Sequence, residues 1–210
     1  IEPRSLSLLI FMVGLAACSR ESTTGPGQPS SAAQGGAASS FTERANRDLG
    51  ASLPLAEQQD FEDAKRGFVA TDDPLVIAGP NGATTWDFPS YAFIEGDAPA
   101  TVNPSLWRQA KLNGQHGLFE VAPGIHQVRG YDISNMTLIE GKTGWIIVDP
   151  LTVKETAAAA IALARKHLGD RPVSAIIFTH SHVDHFGGIE GVLPADPAAA
   201  AKIPIVAPRG

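Results

Sequence analysis

The chain has 210 residues, enough for one sizeable domain with a leader, and its formal net charge is −6. That acidic balance, with no basic stripe, argues against a nucleic-acid backbone as partner. A single cysteine excludes an internal disulfide, and an apolar fraction of 43% is ordinary for a globular protein.

Arg4 precedes an apolar stretch, residues 6–17, which ends in Leu15-Ala16-Ala17-Cys18. A basic start, an apolar run too short to span a bilayer and small residues at the cut describe a secretory signal over residues 1–18. The last four residues resemble the lipobox of bacterial lipoproteins, in which the cysteine is acylated after cleavage. Cys18 is therefore the expected lipidation site, and the protein is expected to be exported, periplasmic or anchored in the outer membrane. The alternative is an ordinary signal with a chance cysteine. Residues 19–40 are rich in Ser, Gly, Ala, Thr and Pro and read as a flexible tether.

Residues 41–117 read as an extension packed on a catalytic domain. Residues 56–67 predict a short helix closing at Gly67, with acids before Lys65 and Arg66 as the helix dipole prefers. The acidic run is a solvated face rather than a metal site. Asn81-Gly82 predicts a hairpin turn between Val76-Ile77-Ala78 and Thr84-Thr85-Trp86. The aromatics from Trp86 through Phe88 and Tyr91 to Phe93 are expected in core packing, with an apolar substrate channel as the alternative. Asn103 and Pro104 suit the N-cap and first position of a helix that stops at Gly114. His116 follows in a Gly-flanked turn and is expected to be structural or exposed.

Residues 118–210 begin the regular part. Residues 118–121 and 125–128 predict strands about Pro123-Gly124, with His126 on a strand face and no metal role. Residues 136–140 and 145–150 predict an antiparallel hairpin. Asp149 ends its second strand, as a structural group or a partner that orients metal ligands. Tyr131, Asp132 and Asn135 lie in the connection before that hairpin, in a position to border a site, and nothing else marks them. Thr152-x-x-Glu155 resembles a capping box, followed by an Ala-rich helix over residues 154–168. His167, in its last turn, suits the dipole better than catalysis. Residues 173–178 predict a buried strand, so strand, helix and strand form a crossover with ligands at the strand's carboxyl end. Residues 203–207 predict one more strand, and Pro204 suits an edge or a strand start.

The segment after residue 178 is Thr179-His180-Ser181-His182-Val183-Asp184-His185-Phe186-Gly187-Gly188, and it holds three of the six histidines. Imidazole and carboxylate suit zinc and other first-row divalent metals. His180 and His182 are two apart, so an extended backbone points both to one side. Asp184 and His185, past the start of a turn, face a second point. Four ligands split two and two leave both shells open, and no histidine follows His185. The chain is therefore expected to stop before its fold and its metal shells are complete. Gly187 and Gly188 predict a tight turn with φ > 0, and Ile189 the start of a helix.

This segment resembles the metal-binding motif of the metallo-β-lactamase superfamily. The resemblance implies that His180 and His182 hold one zinc and Asp184 and His185 a second, with Asp184 also orienting the attacking water. A narrower resemblance is carried by several stretches. They are His116-Gly117-Leu118-Phe119-Glu120-Val121, residues 124–130, Tyr131-Asp132-Ile133-Ser134-Asn135-Met136-Thr137, Gly144-Trp145-Ile146-Ile147-Val148-Asp149-Pro150-Leu151-Thr152, and the motif itself. Together they look like the alkylsulfatases that hydrolyse dodecyl sulfate, over roughly residues 83–210. That implies an incomplete α+β fold, the αββα metallo-β-lactamase sandwich, with two Zn²⁺ ions. It implies hydrolysis of a small amphipathic primary alkyl sulfate to alcohol and sulfate, and a homodimer for the complete protein. Family members continue with a helical dimerisation domain and a domain similar to sterol carrier proteins. Their remaining metal ligands, acidic residues and a histidine, lie after the position that matches residue 210, so this chain alone is expected to bind metal weakly and turn over little. The membrane is expected to be met only through the lipid anchor, and no nucleic acid. The competing readings are another hydrolase of the same fold (β-lactamase, thioesterase or lactonase) and a lipid-anchored metal-binding protein without turnover.

Overall fold

The computed structural model describes residues 36–209. The leader, Cys18 and most of the tether lie outside the described residues. Two helices, α1 (Ser40–Ser52) and α2 (Gln59–Lys65), lead into three short strands, β1 (Phe68–Ala70), β2 (Val76–Ala78) and β3 (Thr84–Asp87). Helix α3 (Pro104–Asn113) precedes strands β4 (Gly117–Ala122), β5 (Ile125–Arg129), β6 (Met136–Glu140) and β7 (Trp145–Val148). Helix α4 (Lys154–Leu168), β8 (Val173–Ile177) and β9 (Ile205–Val206) follow. No helix among the described residues is long and apolar enough to cross a membrane.

Seven strands form one sheet in the order β1-β4-β5-β6-β7-β8-β9, and β2 and β3 form a separate hairpin. The pairings from β1 to β7 are antiparallel, and those of β8 with β7 and β9 are parallel. A parallel neighbour needs a crossover, and α4 supplies it. The extension thus shares the sheet, since β1 pairs with β4.

One face of the sheet is sealed by α4. Val128, Met136, Leu138, Trp145, Ile147 and Ile176 meet Ala157, Ala160, Ile161 and Ala164 in a single core. Three buried alanines on the helix let its axis approach the sheet closely. The opposite face carries Ile125, Ile139, Ile146 and Ala175 at matched register positions, each only half-buried.

The hairpin turn is as the sequence predicts, with Asn81 at φ 59° and Gly82 at φ 78°. The Asn103 carboxamide accepts from the Ser105 and Leu106 amides, capping α3. Three expectations need correction. Residues 40–52 form a helix that the charged, unpatterned sequence did not announce; Ser39 caps it by accepting from the Thr42 amide. The box at Thr152 and Glu155 does not form, because the N-cap is Val153 and the Thr152 hydroxyl donates elsewhere. Ile189 opens a single 3₁₀ turn, Ile189–Gly191, rather than a helix.

Candidate metal centre

The carboxyl ends of β7 and β8 lie side by side, with Val148 opposite Ile177 and the Asp149 amide donating to the Ile177 carbonyl at 3.0 Å. Two segments leave these ends. After β7, Asp149 and Leu151 adopt left-handed backbone, φ 54° and 64°. Such a conformation is costly for leucine and persists only where its surroundings impose it. Leu151 is wholly buried, and its carbonyl accepts from the Gly188 amide at 2.8 Å. After β8, the chain runs through the motif and returns to this turn.

The glycine pair serves a different end from the one expected. Neither has φ > 0; Gly188 sits at −82°. A Cβ at Gly187 would overlap the Thr152 carbonyl, and one at Gly188 the Pro150 carbonyl. Gly191 is equally tight against the Lys154 carbonyl. The glycines are small so that the motif's return can press against the 149–154 backbone and the first turn of α4.

The motif brings its imidazoles together. The His180 ring lies 4.7 Å from that of His182 and 4.1 Å from that of His185, centre to centre. Val183–His185 forms a 3₁₀ turn, with the His185 amide donating to the His182 carbonyl. His185 Nε2 and Asp184 Oδ2 are 3.2 Å apart. Two donors on one tetrahedral zinc at 2.0–2.1 Å stand about 3.3 Å apart, so this pair is spaced as neighbouring ligands. The other ring nitrogen, His185 Nδ1, is 2.8 Å from Asp149 Oδ2, and the carboxylate is only 10% exposed. A histidine whose second nitrogen is held by a carboxylate is the usual form of a metal ligand. Among the described residues no group of three or more His, Cys, Asp or Glu closes on one point. The residues fit a metal in their donor chemistry, nitrogen and oxygen suited to zinc, and in the spacing of Asp184 with His185.

Three residues around the motif carry it. Asp149 also accepts from the Thr179 amide (2.8 Å) and hydroxyl (2.7 Å). The Ser134 hydroxyl donates to the Asp184 carbonyl. Asp132, placed by sequence beside a site mouth, is instead a buried clasp. It accepts from the Ile133 amide, the Thr152 amide and hydroxyl and the Thr156 hydroxyl, so it anchors the 132–134 connection to the start of α4. This is where the Thr152 hydroxyl went. Tyr131 is likewise buried; its phenol donates to Asp72, and burial pushes its pKa well up. Asn135 is exposed. Sequence reasoning had no signal for Ser134, whereas a hydroxyl residue between a buried strand and the first histidine was a readable hint of Thr179.

The other histidines stay apart from the motif. His116 stacks on Phe88 at 4.0 Å, His126 is buried edge-on to Trp145, and His167 is exposed on α4. Trp86 and Phe88 pack against the core, and they also line a cleft of about 710 Å³ with Tyr91 and Ile94, so the aromatics serve partly as core and partly as surface.

A sequence profile of the metallo-beta-lactamase superfamily matches residues 129–210. The chain is 49% identical over 175 residues to a linear primary-alkylsulfatase of a Pseudomonas species, covering 82% of this chain and 26% of the relative. It is 45% identical over 170 residues to an alkyl/aryl-sulfatase of Saccharomyces cerevisiae, covering 80% and 26%. A solved structure, the stereoselective inverting sec-alkylsulfatase of a Pseudomonas species, superposes with a TM-score of 0.73 at 44% identity, covering 81% of this chain and 27% of that one. The chain spans about a quarter of the length of the curated relatives it matches.

Proposed function

We propose that this chain, whose residues 129–210 match the metallo-beta-lactamase superfamily profile and which is similar to alkylsulfatases over most of its length, builds the first half of a two-zinc site that hydrolyses primary alkyl sulfates such as dodecyl sulfate. The observation that carries this reading is the donor cluster of His180, His182, Asp184 and His185, oriented by Asp149, within a chain 49% identical to a linear primary-alkylsulfatase.

In this reading His180 and His182 hold one zinc, and Asp184 and His185 the other. Bound zinc supplies a lowered water pKa and positive charge against the sulfate ester. The chain's own residues do the rest. Asp184 holds the nucleophilic water through its carboxylate, while Ser134 fixes the Asp184 backbone. Asp149 keeps the His185 ring turned, so that Nε2 faces the site. The exposed apolar side chains Ile133, Val183 and Phe186 lie on and beside the motif, and they suit a substrate with an apolar tail. Two donors on each ion are fewer than the three or four protein ligands that zinc sites carry, so these four residues by themselves bind zinc weakly. Cys18 carries the lipid that tethers an exported enzyme to a membrane, and the complete protein is a homodimer.

The test is sulfate release from dodecyl sulfate by the longest natural reading frame containing this chain. Release that a chelator abolishes and His182→Ala loses is the expected result. No release from a complete, zinc-loaded protein overturns the substrate assignment, and lactam, lactone and thioester substrates are then assayed on the same preparation. Fatty-acid labelling that Cys18→Ser removes tests the anchor.

A further inference from the structure

We infer that Thr179 is a positioning residue: its hydroxyl relays the charge of Asp149 to His180, so that one carboxylate fixes the tautomers of two histidines in the motif. The inference rests on the metal-site reading above and goes beyond it. Three distances carry it. Thr179 Oγ1 lies 2.7 Å from Asp149 Oδ2 and 2.9 Å from His180 Nδ1, and the same Asp149 Oδ2 lies 2.8 Å from His185 Nδ1.

A hydroxyl has one proton and a carboxylate has none to give. At 2.7 Å the Thr179 proton must lie towards Asp149, because two oxygens at that separation without a proton would repel. The remaining Thr179 lone pairs then accept, so His180 must offer Nδ1–H. His185 must also offer Nδ1–H, since Asp149 Oδ2 can only accept. Nδ1–H on both rings turns each Nε2 away from Asp149, and that of His185 lies 3.2 Å from Asp184 Oδ2. The Asp149 carboxylate is itself held in plane by the Thr179 amide on Oδ1 at 2.8 Å. Four residues, Asp149, Thr179, His180 and His185, thus form one branched hydrogen-bond chain, with His180 on one arm and His185 on the other. In the metal-site reading these arms serve different zinc ions, so a single buried group prepares both.

The test reads ring nitrogens directly, with no turnover. Long-range proton–nitrogen correlation spectra are recorded on the zinc-free full chain, above the pH at which histidines are charged. The expected result is the Nδ1–H tautomer for both His180 and His185. Thr179→Val removes the hydroxyl at nearly constant volume; His180 loses the fixed tautomer and His185 keeps it. Thr179→Ser restores the His180 pattern, and Asp149→Asn disturbs both rings. Cobalt titration of the same proteins gives a fall in affinity of roughly tenfold or more for Thr179→Val, within the range that orienting partners command, and little change for Thr179→Ser. A His180 that is Nε2–H in the unaltered chain overturns the relay, as does a Thr179→Val protein whose His180 pattern and cobalt affinity are unchanged. An intact His185 signal in Thr179→Val shows that the variant has folded. None of these readouts depends on alkyl sulfate being the substrate, so the failure of one proposal is distinct from the failure of the other.

Discussion

Burying a carboxylate removes its hydration, and Asp132 shows how fully that loss is replaced. The residue is 8% exposed and accepts two amides and two hydroxyls. Replacing it leaves those donors buried and unpaired. Asp132→Ala is expected to cost about 3 kcal/mol, given that one hydrogen bond to a charged group contributes roughly 1.5–3 kcal/mol; urea unfolding of the full chain measures it. Asp132→Asn keeps the volume, and it should lose less. Gly188 poses the opposite problem, since its φ of −82° is open to any residue and only space forbids a side chain. Gly188→Ala presses a methyl onto the Pro150 and Val153 carbonyls and the Ala157 side chain, so the loop must retreat from α4. The expected outcome is a loss of about 1–3 kcal/mol, as for overpacking, together with weaker cobalt binding. The identity of both residues was plain in the sequence, but not their roles. An aspartate and a glycine look alike on a loop and in a clasp until their neighbours are known.

Elements were readable where the signal was local. The β2–β3 turn and the α3 cap depend on residues adjacent in the chain, and both formed as predicted. Gly82 isolates the conformational part of that signal, because a Cβ there meets nothing within 4 Å while φ is +78°. Gly82→Ala should therefore destabilise by about 1–2 kcal/mol, the cost of left-handed backbone for an L-residue, with the hairpin still formed; thermal unfolding with a spectral check of the Trp86 environment decides it. Asn103→Ala should cost about 1 kcal/mol through the lost cap. Signals failed where a distant group competed. Thr152 and Glu155 had the spacing of a capping box, but Asp132, twenty positions upstream of Thr152, captured the hydroxyl. α1 was missed for another reason: none of its residues is buried, so no apolar period marked it.

At the scale of the molecule the sheet is lopsided. Its α4 face is a packed core, while the face carrying Ile125, Ile139, Ile146 and Ala175 is half-buried. Apolar residues in register across four strands are a surface made for another layer. The 210-residue chain should accordingly bind an apolar fluorescent dye. Ile139→Thr with Ile146→Thr should lower that binding without changing the unfolding of the α4 side. Equal dye binding by the double variant would place the exposed apolar surface elsewhere. The same lopsidedness bears on the candidate metal centre. The motif lies at the carboxyl ends of β7 and β8, where the His180, His182 and His185 rings gather.

The sequence by itself determined the chemistry on offer: three histidines and an aspartate in six positions, delivered by a buried strand, with small residues after them. It also determined α4, β4 to β8 and the turns, because periodicity and capping act between near neighbours. Tertiary structure alone decided which partners those donors have. Asp149, 30 residues before Thr179, reaches the motif because a parallel pairing brings two strand ends together. Ser134 reaches it because Asp132 ties the β5–β6 connection to the start of α4. A hydrogen bond acts over about 3 Å in space, and a one-dimensional pattern holds no measure of that distance for residues far apart in the chain.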